Sequence, residues 1–500
     1  MKKTALLLLL FIGCSAFSQS GYEIKGNIKN LTDSVVYLAK YNFGKQYVVD
    51  TCNKVIKGSF VFKGKTTLDK GIYFVVTQSK SHMFDFILNQ NSKLSFTSDA
   101  SDLQYNLKAI DSKENEDFFA YTKYYLTKNK EFMSLKDKTK GMNKVDSTAF
   151  MQNKAKEFSE DVVKFENDVI KAQQGTFFGD WINLKTEKEA KEIPQQKTST
   201  DSSYYRFNYY KGHFWDGVNF ADDRLLRTQF FEDKVKKYFD QIVQQLGPDS
   251  VKVEIDKILA KCPKDGDMFK YLFVHFMTNY ENHKLMGFDA VFVHIVDKYI
   301  KVGVANSIYE AKTIGKIVEK SDRVKPLLIG SVAPELFMID TVNGKIVNKM
   351  GFDTASTAES ITKLYYANVQ KLAPLFTTLS SVKAKYTILV FWDVECGHCQ
   401  TEIPKLLEVY HELKKTVDVK VFSVYTLSEF DKWKKYIIKN KLDFVNIYDP
   451  IHLNNVKEKY DIFSTPKVYV LDKDKKIKSK HMPVDKIPEL IKLYESADKK

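Results

Sequence analysis

Apolar and polar residues alternate along the first part of the chain with the two-residue period of half-buried β-strands. The clearest such segments are SFVFKGK (59–65), GIYFVVTQ (71–78), MFDFIL (83–88) and KLSFTS (93–98). Strands at such close spacing are typical of an antiparallel sheet or sandwich. The pattern therefore predicts an antiparallel β module over residues 19–108.

The periodicity then becomes helical. In FEDKVKKYFDQIVQQL (231–246) and DAVFVHIVDKYI (289–300), apolar residues recur at spacings of three and four. This spacing places them on one face of an α-helix. We predict a central all-α module over residues 109–330.

A third pattern follows over residues 331–500. Continuous apolar runs, which are typical of strands buried on both faces, alternate with amphipathic segments. The predicted elements are the strands TILVFW (387–392) and DVKVFSVY (418–425), a helix that begins at CGHC and continues through EIPKLLEVYHELKK, and the helix SEFDKWKKYIIKN (428–440). Their order predicts an α/β domain with a central sheet.

Two hairpins are also predicted in this region. ELFMIDTVNGKIVNK (335–349) contains Asn343-Gly344, a dipeptide that favours a two-residue turn between strands. TPKVYVLDKDKKIKSKHM (465–482) reads as an edge hairpin that turns within residues 472–475.

Length and charge narrow the class of protein. Five hundred residues exceed a single core and suggest about three domains. The net charge of +14 comes from lysines scattered over all regions, whereas arginine occurs only at Arg206, Arg224, Arg227 and Arg323. Because arginine is the residue that reads bases and binds phosphates bidentately, we expect a solvated surface and no nucleic-acid partner.

The first 18 residues have the pattern of a secretory signal. Lys2 and Lys3 precede an apolar run from Ala5 to Ile12 that is too short to span a bilayer, and small residues precede Gln19. We expect cleavage after Ser18 and a location in the periplasm or cell envelope. Lipidation at Cys14 is the alternative, and it is the condition under which we expect membrane association.

Export permits disulfides, but the cysteines are few. Beyond Cys14 there remain Cys52, Cys262, Cys396 and Cys399, too few for a disulfide scaffold. Cys52 lies beside apolar residues in VVDTC, and we expect it to be a buried free thiol.

The stretch FWDVECGHCQTEIP (391–404) carries the strongest chemical signal. A dithiol exchanger needs one accessible, low-pKa cysteine and a second cysteine close behind it. At a helix N-terminus, unpaired N–H groups and the helix dipole favour a thiolate. We therefore expect Cys396 to be the nucleophile, Cys399 the resolving cysteine, and His398 an additional stabiliser of the thiolate.

Other chemistries fit this stretch less well. A structural zinc site takes four ligands, and neither a second CxxC nor a spaced histidine pair accompanies the first CxxC. We expect no metal and no cofactor. A thiol peroxidase is also less favoured, because the Pro-x-x-x-Thr-x-x-Cys approach to a peroxidatic cysteine is absent before Cys396.

Residues 331–495 resemble the thioredoxin-like superfamily, most closely the TlpA/ResA-like envelope thiol-disulfide oxidoreductases. The resemblance rests on Phe391 and Trp392, on Cys396-Gly-His-Cys399, on Glu402 and Pro404, and on Ser464-Thr465-Pro466 before the strand KVYVLD. It implies a thioredoxin-like fold in which Pro466 is cis and positions the client's backbone beside the nucleophile. It also implies client proteins with disulfides or thiols and a separate electron donor or acceptor.

The chain departs from thioredoxin at two positions near the nucleophile. Val390 stands where thioredoxin has a buried proton-shuttling aspartate, and Glu395 replaces the tryptophan before the first cysteine. A carboxylate at position 395 opposes thiolate formation at Cys396. Glu402 or Glu395 is the candidate proton relay.

The two preceding modules resemble, more loosely, uncharacterised modules that precede thioredoxin-like domains in envelope proteins of Bacteroidetes. They imply no activity of their own. The aromatic stretch SSYYRFNYYKGHFWDGVNFADDR (202–224), with Tyr209 and Trp215, lines either a ligand groove or a packed core. The groove would make the protein an envelope binding or scaffold protein with an incidental redox pair, which is the alternative function.

Overall fold

The structure, a computed structural model, describes residues 21–90, 92–190, 194 and 198–497. The predicted signal over residues 1–18, with Cys14, lies outside the described residues. The chain divides into two compact units, one comprising Met1–Gln245 with Lys257–Tyr271 and the other Leu246–Asp256 with Leu272–Lys500. The module boundaries at residues 108 and 330 stay predictions.

Eight strands in the first unit form two four-stranded sheets. They are β1 (Tyr22–Lys29), β2 (Val36–Asn42), β3 (Lys45–Cys52), β4 (Ser59–Gly64), β5 (Gly71–Thr77), β6 (His82–Leu88), β7 (Lys93–Asp99) and β8 (Lys108–Ile110). The sheet orders are β4-β1-β7-β8 and β3-β2-β5-β6. All pairs are antiparallel, as predicted, except β1 with β7, which is parallel.

Alternating burial along β1 shows why this segment forms a strand with one face in the core. Ile24 and Ile28 are buried. Lys25 and Asn27, which lie between these two isoleucines, are exposed. At Gly26 the ring of Phe60 lies only 2.0 Å from where a Cβ would stand, so any larger residue would displace the ring. Glycine at this position lets β4 pack its aromatic ring across β1.

The predicted central helices are present. They are α1 (Lys113–Lys138), α2 (Lys144–Ala172), α3 (Phe177–Lys185), α4 (Ser199–His213), α5 (Phe231–Lys236), α6 (Pro248–Lys261), α7 (Asp267–Glu281), α8 (Asp289–Ile295) and α9 (Ala311–Val324). Two helices, α5 and α8, continue as π-helical turns over Lys237–Val243 and Val296–Ile300. Within the described residues, no helix combines the length and the apolar character that crossing a bilayer requires.

A seven-stranded sheet flanked by helices forms the C-terminal part of the second unit. Its strands are β9 (Phe337–Asp340), β10 (Phe376–Thr378), β11 (Tyr386–Trp392), β12 (Val419–Tyr425), β13 (Val445–Tyr448), β14 (Lys467–Leu471) and β15 (Ile477–Lys480), in the order β10-β9-β13-β12-β11-β14-β15. The helices are α10 (Gly344–Val347), α11 (Ala358–Leu372), α12 (Gly397–Leu413), α13 (Phe430–Asn440), α14 (Val456–Lys459) and α15 (Ile487–Ala497). Strands β11, β12 and β13 are parallel, and β14 and β15 form the predicted edge hairpin.

Strand β11 lies inside this sheet, between β12 and β14, and all seven of its residues are buried. Ile388, Val390 and Trp392 face one core cluster, while Leu389 and Phe391 face the other. A strand with apolar residues at every position needs cover on both faces, which explains its continuous apolar sequence. The C-terminal end of β11, which leads into the CGHC segment, is thereby packed on both faces.

The predicted hairpin at Asn343-Gly344 was wrong. A two-residue turn of that type needs positive φ at both central residues, but Asn343 has φ −72° and ψ −21°. Instead, Oδ1 of Asp340 accepts the N–H groups of Val342 at 2.9 Å and of Asn343 at 2.7 Å. This aspartate turn leads directly into α10, because its side chain satisfies N–H groups that a second strand would otherwise have paired.

Candidate active site

The two cysteines of CGHC lie where β11 ends and α12 begins. Cys396 is the N-cap residue of α12, with φ −75° and ψ 116°, and its Sγ accepts the backbone N–H of Cys399 at 3.4 Å. Cys396 is half-buried, whereas Cys399 is 0% exposed and packs in the core beneath it. The sequence therefore places one sulfur within reach of solvent and the second directly behind it.

The two thiols differ in acidity because their surroundings differ. Burial alone would raise the pKa of Cys396, but hydrogen bonds with Thr465 and Cys399 outweigh it and hold that pKa below the ordinary value. Burial raises the pKa of Cys399 to about 12. Cys396 is thus the thiol that ionises first, and Cys399 stays protonated until something removes its proton.

The loop of Thr465 and Pro466 lies against the nucleophile. The peptide bond Thr465–Pro466 is cis, as the resemblance implied. The backbone oxygen of Thr465 lies 3.3 Å from the Sγ of Cys396. Strand β14 begins at the next residue and pairs antiparallel with β11, with Lys467 opposite Phe391. This register brings the two loops together.

Sequence reasoning missed Asp393, which touches more of the site than any predicted residue except the cysteines. Its Oδ1 accepts the backbone N–H groups of Glu395 at 2.9 Å and of Cys396 at 2.7 Å. Its Oδ2 accepts the hydroxyl of Thr465 at 3.0 Å. The available signal was an aspartate three residues before an N-cap cysteine, a spacing at which aspartate side chains cap turns.

The other predicted residues lie further from the chemistry. His398 is exposed, and in the described part of the chain it makes no hydrogen bond with either thiol. Glu402 accepts a hydrogen bond from Lys405 at 2.8 Å, and Glu395 accepts one from Lys432 at 2.7 Å. Each of these carboxylates therefore already accepts a hydrogen bond from a lysine. The proton-relay role suggested for Glu402 or Glu395 stays a prediction.

Among the described residues, one group could hold a metal ion. A carboxylate oxygen of Asp393 and the sulfurs of Cys396 and Cys399 all lie within 4.8 Å of one another. Three protein ligands are one fewer than a structural zinc site takes. The three atoms are also the ones that thiol exchange needs, so the grouping is explained equally well by redox chemistry.

The cysteines and aromatic residues of the first unit differ in part from expectation. Cys52 is half-buried rather than buried, because β3 is an edge strand of its sheet. Phe214 and Trp215 are buried and pack against Tyr238, with ring centroids 4.9 and 5.2 Å apart, as expected of core residues. Tyr204 is exposed.

Three family models match the chain. The model described as the AhpC/TSA family matches residues 372–480, which include both cysteines of the site. Residues 142–320 match a domain of unknown function, DUF5106, and residues 22–118 match another, DUF4369. No curated protein matches the chain.

Several solved structures are similar to it. One, from Cytophaga hutchinsonii, is described as "a domain of possible thiol-disulfide isomerase"; it is 31% identical, with a TM-score of 0.28, and the match covers 35% of this chain and 97% of that one. A thioredoxin-like protein from Bacteroides caccae is 18% identical, with a TM-score of 0.41 and coverage of 62% and 98%. A thiol:disulfide interchange protein from a Bacteroides species is 23% identical, with a TM-score of 0.25 and coverage of 33% and 90%.

Proposed function

Because the C-terminal region of this chain belongs to the thioredoxin-like thiol-disulfide oxidoreductases, we propose that the protein exchanges disulfides with client proteins through Cys396 and Cys399. The observation that carries the proposal is the asymmetry of the two thiols. Cys396 is half-buried with a lowered pKa at a helix N-cap, and Cys399 is buried with a raised pKa behind it. One thiol is suited to attack and the other to resolve.

In the reducing direction, the Cys396 thiolate attacks one sulfur of a client disulfide. A bond forms between Cys396 and the client while the client's own disulfide breaks, and the leaving client sulfur takes up a proton. Cys399 then loses its proton and attacks Sγ of Cys396, which forms the Cys396–Cys399 disulfide and releases the second client thiol. Two electrons pass to the client. A separate dithiol donor restores Cys396 and Cys399, and the reverse cycle oxidises clients.

We place this activity outside the cytosol. The support is the sequence of residues 1–18, a charged start followed by a short apolar run and small residues. An oxidising compartment also supplies client disulfides. We expect the protein to associate with the membrane only if Cys14 is lipidated.

A redox titration tests the proposal. The protein is equilibrated in glutathione buffers and alkylated, and the state of Cys396 and Cys399 is read by mass. We expect a reversible two-electron transition. A midpoint near about −270 mV would make the protein a reductant, and one between about −180 and −120 mV an isomerase or oxidant. A pair that does not titrate reversibly would exclude the proposed function and leave the binding or scaffold function in its place.

A thiol peroxidase is the second candidate, and the AhpC/TSA family match favours testing it. Against it, Asp393 and Leu389 occupy the positions where the peroxidatic approach has threonine and proline. Consumption of hydrogen peroxide by the reduced protein distinguishes the two. We expect Cys396 to react with a peptide disulfide much faster than with peroxide.

A further inference from the structure

We infer that Asp393 is a catalytic residue that accepts the proton of Cys399 when the mixed disulfide is resolved, and that its carboxylate also holds the two active-site loops together. The inference rests on the proposed function. It names the base that the second step, the attack of Cys399 on Sγ of Cys396, requires. Neither the sequence pattern nor the similar proteins assign a role to Asp393.

The resolving step needs a base close to Cys399. The thiol must lose its proton before it attacks, yet it is 0% exposed, and burial raises its pKa to about 12. Water therefore has poor access to it. Val390, six residues before Cys396, is itself fully buried and supplies no titratable group.

Asp393 lies where such a base is needed. One of its carboxylate oxygens lies within 4.8 Å of both sulfurs. The side chain cannot easily rotate away, because Oδ1 accepts two backbone N–H groups and Oδ2 accepts the hydroxyl of Thr465. Among the described residues, one donor, the hydroxyl of Thr465, reaches Oδ2, whereas two reach Oδ1, so a lone pair of Oδ2 remains for a proton. This difference in hydrogen-bond donors favours transfer at Oδ2.

Other titratable groups around the site fit this role less well. Glu395 and Glu402 are bound to Lys432 and Lys405. Burial is the main cause that raises the pKa of Tyr425 to about 12. Smaller electrostatic contributions come from the charges of Glu429, Asp393, Glu395 and Lys432. Burial and the charge of Cys399 likewise raise the pKa of Tyr436. Both tyrosines therefore remain protonated and cannot accept a proton at neutral pH.

The step balances as follows. The carboxylate of Asp393 takes the proton of Cys399, and the resulting thiolate attacks Sγ of Cys396. The Cys396–Cys399 bond forms while the bond between Cys396 and the client breaks. The client sulfur leaves as a thiolate with the electron pair of that bond and receives the proton from Asp393. The carboxylate is regenerated, and no additional oxidant or reductant is needed.

The test compares Asp393→Asn with Glu412→Gln, which removes the charge of a 73% exposed carboxylate on α12. Full-length protein is mixed with a peptide disulfide in a single turnover and quenched in acid, and the mixed disulfide is followed by mass. We expect resolution to slow about 10²-fold or more in Asp393→Asn and to stay unchanged in Glu412→Gln. Asp393→Glu should recover part of the loss.

A second readout separates the loss of the carboxylate charge from a loosening of the two loops. The charge of Asp393 opposes ionisation of Cys396, so Asp393→Asn should shift the alkylation profile of Cys396 to lower pH. A merely structural role would loosen the hydrogen bonds that favour the thiolate and shift the profile to higher pH. If Asp393→Asn does not fold, Asp393→Ser, which keeps an acceptor for the loop N–H groups, replaces it.

The outcomes distinguish this inference from the proposed function. If Asp393→Asn forms the mixed disulfide and resolves it at the wild-type rate, or if Glu412→Gln slows resolution equally, the inference is wrong and the proposed function stands. If the wild-type protein forms no mixed disulfide, the proposed function itself fails.

Discussion

The backbone oxygen of Thr465 lies 3.3 Å from Sγ of Cys396, although 69 residues separate them in the chain. The contact joins the cis Thr465–Pro466 peptide bond to the N-cap of α12. Any client sulfur that reaches Cys396 must therefore pass beside residues 465 and 466. The site is therefore formed by two loops, rather than by the CGHC segment alone.

The burial difference between the two thiols predicts which variant traps a client. Cys399→Ser should accumulate a mixed disulfide with a peptide disulfide, because the half-buried thiol of Cys396 can attack but nothing resolves the product. Cys396→Ser should accumulate none, since Cys399 is 0% exposed. Mass spectrometry after acid quenching reads both. Cys52→Ser, which changes another half-buried thiol, is the control and should behave as wild type. Trapping by Cys396→Ser would contradict the assigned order.

The pKa shifts predict how the reduction potential changes with pH. The dithiol carries two more protons than the disulfide, so raising the pH disfavours the reduced form and the midpoint falls by about 59 mV per pH unit. Above the lowered pKa of Cys396 only one of these protons remains, and the slope becomes about 30 mV per pH unit. We expect the break below pH 9 and no second break before about pH 12, where Cys399 ionises. Titrations at a series of pH values measure this. A slope that stays at about 59 mV through pH 9 would contradict the lowered pKa.

A buried hydrogen bond beneath the site predicts a loss of stability. Nε1 of Trp392 donates to Oγ of Ser423 at 2.8 Å, and both residues are fully buried. Ser423→Ala leaves the indole N–H without a partner, which costs about 1–3 kcal/mol. Denaturant unfolding followed by tryptophan fluorescence measures the change. Ser496→Ala, on the exposed surface of α15, should stay within about 0.5 kcal/mol of wild type. Equal effects of the two variants would show that the bond contributes nothing.

The contacts of Arg323 predict a measurable coupling free energy between this residue and the segment before Thr465. Its Nε donates to Asp461 at 2.8 Å and its Nη1 to Glu458 at 3.3 Å, and the guanidinium lies 5.1 Å from the ring of Phe463. The pair with Asp461 is largely shielded, at 19% and 23% side-chain exposure. A double-mutant cycle with alanine should give about 0.5–3 kcal/mol of coupling. Hydrogen exchange over residues 458–463 should also rise in Arg323→Ala.

The exposed pair Lys415–Glu412 is the control for that cycle. Its side chains are 63% and 73% exposed, so its coupling should be about 0–1 kcal/mol. Coupling of Arg323 with Asp461 no greater than that of the control pair would show that the contact does not hold the segment.

Much of the C-terminal fold followed from sequence because its signals are local. The continuous apolar run of β11 predicted a strand buried on both faces, and the spacing of Cys396 and Cys399 predicted one sulfur at a helix N-terminus with the other behind it. Residues three apart at a helix start are neighbours wherever the helix lies. The hairpin predicted from Asn343-Gly344 was wrong because the side chain of Asp340 accepts the N–H groups of Val342 and Asn343, which a second strand would otherwise have paired.

The sequence by itself thus predicted which residues carry the redox pair and in what order they act. Only the tertiary structure decided what surrounds that pair. Asp393 contacts Thr465 because β14 pairs antiparallel with β11 in a register that places Lys467 opposite Phe391. The pairing depends on packing of the whole sheet, since register is fixed by the faces that are buried rather than by the residues of one loop. A contact across 72 residues leaves no periodic signal in the chain.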